Sequence, residues 1–122
     1  MIQKKNKLIW IGNSLRDLKA FPKAVRERFG YALYIAESGG KHNHAKPLKG
    51  FKGSGVLEIV ENFDKGTYRS VYTVKFKKYV YVLHCFEKKS KKGIAPPKPD
   101  IEMIRVRLKI ALRDYQNRKG LK

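Results

Sequence analysis

Two aromatic-rich segments constrain this chain most. They are Tyr68-Arg69-Ser70-Val71-Tyr72-Thr73-Val74 and Tyr79-Val80-Tyr81-Val82-Leu83-His84-Cys85-Phe86, separated by a short basic connection ending in Lys77-Lys78. β-Branched and aromatic side chains fit a pleated, half-buried surface, so both segments read as strands of one antiparallel hairpin. The second is nearly continuous in apolar residues, which predicts a central strand covered on much of both faces. It runs directly into Glu87-Lys88-Lys89-Ser90-Lys91-Lys92-Gly93. A core strand that ends in such a lysine run presents a basic surface suited to RNA phosphates.

The remaining elements follow from periodicity and punctuation. Leu8 to Ile11 is a short apolar strand, and Asn13 or Ser14 caps a brief helix carrying Leu15, Leu18 and Phe21 on one side. Beyond Pro22, the spacing of Val25, Phe29, Ala32, Leu33 and Ala36 predicts a second helix, stopped by Gly39-Gly40. Residues 40–55 are rich in glycine and lysine and read as a mobile basic loop. Val56 to Phe63 is strand-like, Asp64-Lys65-Gly66 signals a hairpin turn, and the next strand is expected over Thr67 to Phe76. After Pro96-Pro97-Lys98-Pro99 the last helix aligns Ile101, Ile104, Leu108, Ala111 and Tyr115 in one stripe. The expected fold is α+β: an N-terminal strand, a helical hairpin, an antiparallel sheet of three further strands and a C-terminal helix. Residues 1–122 form a single domain with a disordered basic tail at about 117–122.

Charge decides the class of partner. A net charge of +19 and a pI near 10.2 predict attraction to a polyanion, nucleic acid first. The 42% hydrophobic content, distributed in periodic segments, indicates a packed globule rather than a basic arm or a membrane-surface peptide. The lone Cys85 lies in an apolar run and reads as a small buried thiol. Leu8 to Ile11 is too short for a signal peptide or a membrane span, so a cytoplasmic protein is expected.

Strand alternation then sorts the side chains by face. Two-residue turns at Lys65-Gly66 and Lys77-Lys78 place Asn62 opposite Arg69, Val71 opposite His84 and Arg69 opposite Phe86. One face gathers Glu58, Asn62, Arg69, His84, Phe86 and Lys88. The other gathers Leu57, Ile59, Tyr72, Val74, Phe76, Tyr81, Leu83 and Cys85, a bed for the helices. A carboxylate, an arginine, an imidazole and lysines on one concave surface are equipped to cut RNA without a metal or other cofactor. One group removes the ribose 2′-OH proton, cations stabilise the phosphorane, and another group protonates the leaving 5′-oxygen.

The order of elements, with Lys46-Pro47-Leu48-Lys49-Gly50, Leu57-Glu58-Ile59, Tyr68-Arg69-Ser70-Val71-Tyr72 and Phe86-Glu87-Lys88-Lys89-Ser90-Lys91-Lys92-Gly93, resembles the RelE/ParE toxin superfamily. The resemblance runs from about Leu8 to about Arg113 and is closest to the HigB-like, phage-derived branch. It implies a RelE-like fold and the toxin of a type II toxin–antitoxin pair. It further implies an endoribonuclease that cuts mRNA on the ribosome and is neutralised by a helix-turn-helix antitoxin. Arg69 matches the arginine of the family's tyrosine-arginine strand, which implies stabilisation of the scissile phosphate. Lys88 and Lys89 match the basic pair ending the last strand, and His84 lies where HigB-like toxins place polar groups. Where the RelE branch has lysines this chain has Glu58, Val60 and Glu61, so the general base lies between Glu58 and His84.

Plainer roles stand beside these. Arg69 has a cross-strand ion pair with Glu58 or Glu61 as its structural reading, and His84 that of a hydrogen-bonded core residue. His42 and His44, without a cysteine or carboxylate cluster nearby, do not read as a zinc site. Lys46, Lys49, Lys52, Lys91 and Lys92 extend the expected phosphate footprint, and Phe86 is the candidate for base stacking. Two other functions share the resemblance: a ParE-like poison of DNA gyrase acting through a protein-binding surface, and an inactive basic RNA-binding module.

Overall fold

β5 (Tyr79–Lys88) lies inside a five-stranded sheet of order β1-β5-β4-β3-β2. In this computed structural model, which describes residues 6–51, 53–88 and 96–119, β1 (Lys7–Trp10) runs parallel to β5. β2 (Ala45–Pro47), β3 (Val56–Phe63), β4 (Gly66–Thr73) and β5 are joined by antiparallel pairings. The chain is α+β as its sequence predicts, with a fifth strand in the segment expected to be loop. Ala45 is buried while Lys46 and Pro47 are exposed, and this half-buried edge suits a short strand ending in a lysine and a proline.

Helices cover both faces. α1 (Ser14–Lys19) and α2 (Lys23–Glu37) place Leu18, Val25, Phe29, Ala32, Leu33 and Ala36 against Ile59, Tyr68, Tyr72, Val80, Val82 and Cys85. α3 (Lys98–Arg118) sets Ile104 and Ala111 against Val56, Val71, Tyr81 and Leu83 on the other face. The helix ends follow local chemistry. Asn13 precedes α1 while the Ser14 hydroxyl turns inward to the carbonyl of Val82 at 3.2 Å. α2 stops at Gly39, whose φ of +88° suits glycine, with Gly39 N–H bonded to Ala36 and Gly40 N–H to Ile35 in a Schellman pattern. α3 continues through Asn117 and Arg118, the first residues of the expected tail.

The hairpins depart from the expected pairing at the β3–β4 turn, at a bulge in β5 and at the end of β4. The β3–β4 turn is centred on Asp64 and Lys65, with φ of +47° and +68°, so Phe63 pairs with Gly66 and Val60, not Asn62, lies opposite Arg69. The shift is two residues, which preserves every face. At the other hairpin, Val71 pairs with His84 and Arg69 with Phe86, the expected register. Then Tyr72 pairs with Val82, leaving Leu83 as the extra residue of a bulge. The bulge carries Leu83 and Tyr81 into the cluster under α3, where Phe76 of the connection also packs, whereas the sequence reading set all three with Ile59, Tyr72 and Cys85. β4 also ends at Thr73, so Val74 is exposed and outside the ladder. Because α3 occupies the face expected to be open, the polar residues there pack beneath a helix.

Candidate functional site

Glu58 and Arg69 come from neighbouring strands and meet on the α3 face. Arg69 Nη1 donates to Glu58 Oε2 at 3.0 Å, and the two side chains are 5% and 12% exposed. A buried ion pair of this kind trades a large desolvation cost against its Coulomb gain, so it is weak evidence for stability alone. Arg69 Nε is buried with no hydrogen-bond partner among the described residues. A buried donor left unpaired costs roughly 1–3 kcal/mol, so Nε is a group for which a hydrogen-bonding partner is favourable. Glu61, the other candidate partner, lies on the opposite face, where it meets Arg28 at 3.5 Å and His44 Nδ1 at 3.0 Å.

His84 is held at both nitrogens. Nε2 lies 2.7 Å from Asp100 Oδ1, and Nδ1 lies 3.2 Å from Arg107 Nη1. A guanidinium only donates, so Nδ1 accepts and Nε2 carries the hydrogen given to Asp100. Arg107 Nη1 also donates to the Leu83 carbonyl at 2.9 Å, which ties α3 to the bulge. The Phe86 ring stacks on the imidazole, with centroids 4.8 Å apart. Room for Arg107 comes from Gly12, where a Cβ would lie 2.9 Å from the guanidinium and where φ is +58°. The result is a fixed Asp100, His84, Arg107 chain beside the Glu58–Arg69 pair.

Residues 16–109 match the family model of the phage-derived Gp49-like proteins (DUF891). The chain belongs to this family. Gp49-like proteins sit within the RelE/ParE-like toxin superfamily and are commonly the toxins of toxin–antitoxin pairs. No curated protein matches the chain.

In this Gp49-like chain the structure brings together Glu58, Arg69, His84 and Phe86, and puts Lys88 at the same end, opposite Thr67 and buried. Lys46 and Lys49 are exposed at the β2 edge, and Lys46 pairs with Glu58 in the ladder. Lys52, Lys89, Lys91 and Lys92 lie outside the described residues. Sequence reasoning missed Asp100 and Arg107. Their signal was present, because with Ile104 and Ala111 they follow helical spacing, so two charges sit in phase with the apolar stripe of α3. No group of three or more His, Cys, Asp or Glu side chains among the described residues is arranged to hold a metal. No helix among them is long and apolar enough to cross a membrane.

On the other face the Cys85 thiol and the Tyr72 phenol are both buried. Burial pushes the Cys85 thiol up to about 12, with the hydrogen bond to Ser70 partly opposing it. Burial also raises the Tyr72 phenol to about 12. At this pKa the thiol stays protonated and inert near neutrality.

Proposed function

We propose that this Gp49-like protein is the toxin of a type II toxin–antitoxin pair and an endoribonuclease that cleaves mRNA on the ribosome. The observation that carries the reading is the buried Glu58–Arg69 pair with its unsatisfied Nε, set beside the Asp100, His84, Arg107 chain in a protein of this family. Arg69 supplies charge to the scissile phosphate, and its free Nε is the donor reserved for a phosphate oxygen. At 4% exposure Arg69 reaches substrate by swinging away from Glu58, which releases that carboxylate as an acceptor for the 2′-OH proton. His84, occupied at both nitrogens, positions Phe86 beneath the nucleotide. The 2′-oxygen then bonds to phosphorus, the bond from phosphorus to the 5′-oxygen breaks, and a lysine ammonium at the end of β5, Lys88 or Lys89, protonates the leaving oxygen. Products are a 2′,3′-cyclic phosphate and a free 5′-hydroxyl. Lys46, Lys49, Lys52, Lys91 and Lys92 extend the phosphate track, and a helix-turn-helix antitoxin covers this face.

The test is 5′-end mapping of mRNA in a translating extract with the wild type, Arg69→Lys and Glu58→Gln. Arg69→Lys keeps the charge but loses the planar fork. The expected result is new 5′-hydroxyl ends in codons at the ribosomal A site, reduced at least about 100-fold by either change, the scale of losing a positioned acid–base or charge-stabilising group. Intact mRNA alongside growth arrest in cells overturns the nuclease. A ParE-like protein poison is the second reading, favoured by Met103, Val106 and Ile110, which form an exposed apolar stripe on α3.

A further inference from the structure

At the far end of β5 from Lys88, the β4–β5 hairpin and the C-terminal turn of α3 enclose an open cleft of about 420 Å3. Its lining is Lys77, Lys78, Tyr79, Tyr115, Arg118 and Lys119, four cations and two aromatic rings with no carboxylate among them. Asp114 lies behind this lining, where it accepts from Arg118 Nε at 2.6 Å and from the Tyr81 hydroxyl at 2.8 Å. Burial works against the Asp114 charge, yet the Arg118 and Tyr81 bonds outweigh it and hold the carboxyl below its usual range. Asp114 therefore orients Arg118 and offsets one charge of the four.

The cations and rings form one surface. Tyr79 and Tyr115 meet edge to face with centroids 5.9 Å apart, the Arg118 guanidinium stands 5.6 Å over Tyr79, and the Lys119 ammonium stands 5.0 Å over Tyr115. Tyr115 is braced from behind by Phe76 at 4.9 Å. The turn itself aims charge: Lys78 has a φ of +76°, a left-handed conformation that a lysine seldom adopts. Lysines beside flat π surfaces match a nucleotide, whose phosphate is a polyvalent anion and whose base has a face to stack on tyrosine or arginine.

We propose that this cleft is a second nucleic-acid site that binds one nucleotide of single-stranded RNA. Its phosphate rests on Lys77, Lys78 and Lys119, and its base lies against the Tyr79, Arg118 and Tyr115 surface. The choice of RNA as the polyanion rests on the nuclease reading. Seven steps along β5 separate Tyr79 from Phe86, the partner of Arg69, so the cleft lies about 20 Å from Arg69 and RNA reaching both is held at two separated points. The cleft serves affinity and register and takes no part in bond cleavage.

A fluorescein-labelled RNA carrying 2′-O-methyl groups throughout resists cleavage and reads binding alone. Its affinity is measured by anisotropy across a salt series for the wild type and for Lys77→Gln/Lys119→Gln, which alters two exposed residues and leaves the strained Lys78 in place. The double variant is expected to bind about tenfold more weakly. Its salt slope should be shallower by about 1.4, from two lost contacts at about 0.7 each for a single strand. In parallel, RNA containing 4-thiouridine is photocrosslinked and the adducts mapped, with Tyr79 or Tyr115 expected among them. Unchanged affinity and slope, with adducts only at other residues, overturn the second site while leaving the nuclease standing. Wild type that ignores RNA but binds an acidic peptide at these lysines overturns the RNA site, and the nuclease is judged separately by the 5′-end mapping.

Discussion

Arg69 and Glu58 illustrate how a single residue is caught between folding and function. With the two side chains only 5% and 12% exposed, removing one strands the other charge in a poor environment. We expect Arg69→Met to destabilise the protein by about 3 kcal/mol, the lower end of the range for a broken buried pair, since Glu58 keeps some contact with solvent. Combining it with Glu58→Leu should recover most of that loss, because a shape-filling apolar pair needs no compensating charge. Urea unfolding of the two single variants and the double variant checks the cycle. A double variant destabilised by the sum of the two single changes would show that the side chains are not coupled in solution. The same logic explains why a charge-retaining replacement is the informative one for activity.

At the scale of the element, the turns and the bulge decide which side chains meet. Asp64 and Lys65 both adopt positive φ, where a lysine side chain costs about 1–2 kcal/mol and glycine costs about 0.5–1 kcal/mol in chain entropy. Lys65 is exposed, so Lys65→Gly is expected to stabilise the hairpin by about 0.5–1 kcal/mol, seen as a higher melting temperature. A lower one would mean that the Lys65 side chain makes a contact worth more than the strain. Much of this architecture was legible in the chain. Val25, Phe29 and Leu33 mark α2 by spacing, and Arg69 pairs with Phe86 and Val71 with His84 as the sequence predicts. The bulge at Leu83 was not legible, because an extra residue in an unbroken apolar run leaves the composition unchanged. Asp100 and Arg107 were hidden for a related reason: they become partners of His84 only once α3 folds back across a sheet whose local face that bulge has set.

Over the whole molecule, buried ionisable groups set an alkaline limit. Burial moves the Cys85 thiol from about 9 to about 12 and the Tyr72 phenol from 10 to about 12, and burial followed by the bond to Asp114 raises Tyr81 as well. Each group holds its proton more tightly folded than unfolded, so its contribution is complete below the unfolded value and declines as pH rises through the folded one. Stability is therefore expected to fall between about pH 9 and 12, with each group contributing at most about 1.4 kcal/mol per pH unit. Cys85→Ala should flatten the pH 9–10 part of the curve relative to wild type, followed by urea midpoints at each pH. An unaltered slope there would assign the alkaline loss to other groups.

The parallel seam between β1 and β5 has a consequence in time. Lys7 pairs with Tyr79 and Trp10 with Val82, so the first strand to be synthesised has no place in the sheet until the last strand exists. α1 and α2 likewise wait for Val80, Val82 and Cys85 to complete the surface they cover. A nascent chain that stalls before Tyr79 therefore lacks its seam, both helical layers remain unsupported, and the polar site has no His84. Such a fragment is an unfolded polycation open to proteolysis. The polar site is assembled only once β5 and, after it, Asp100 and Arg107 of α3 have been added to the chain.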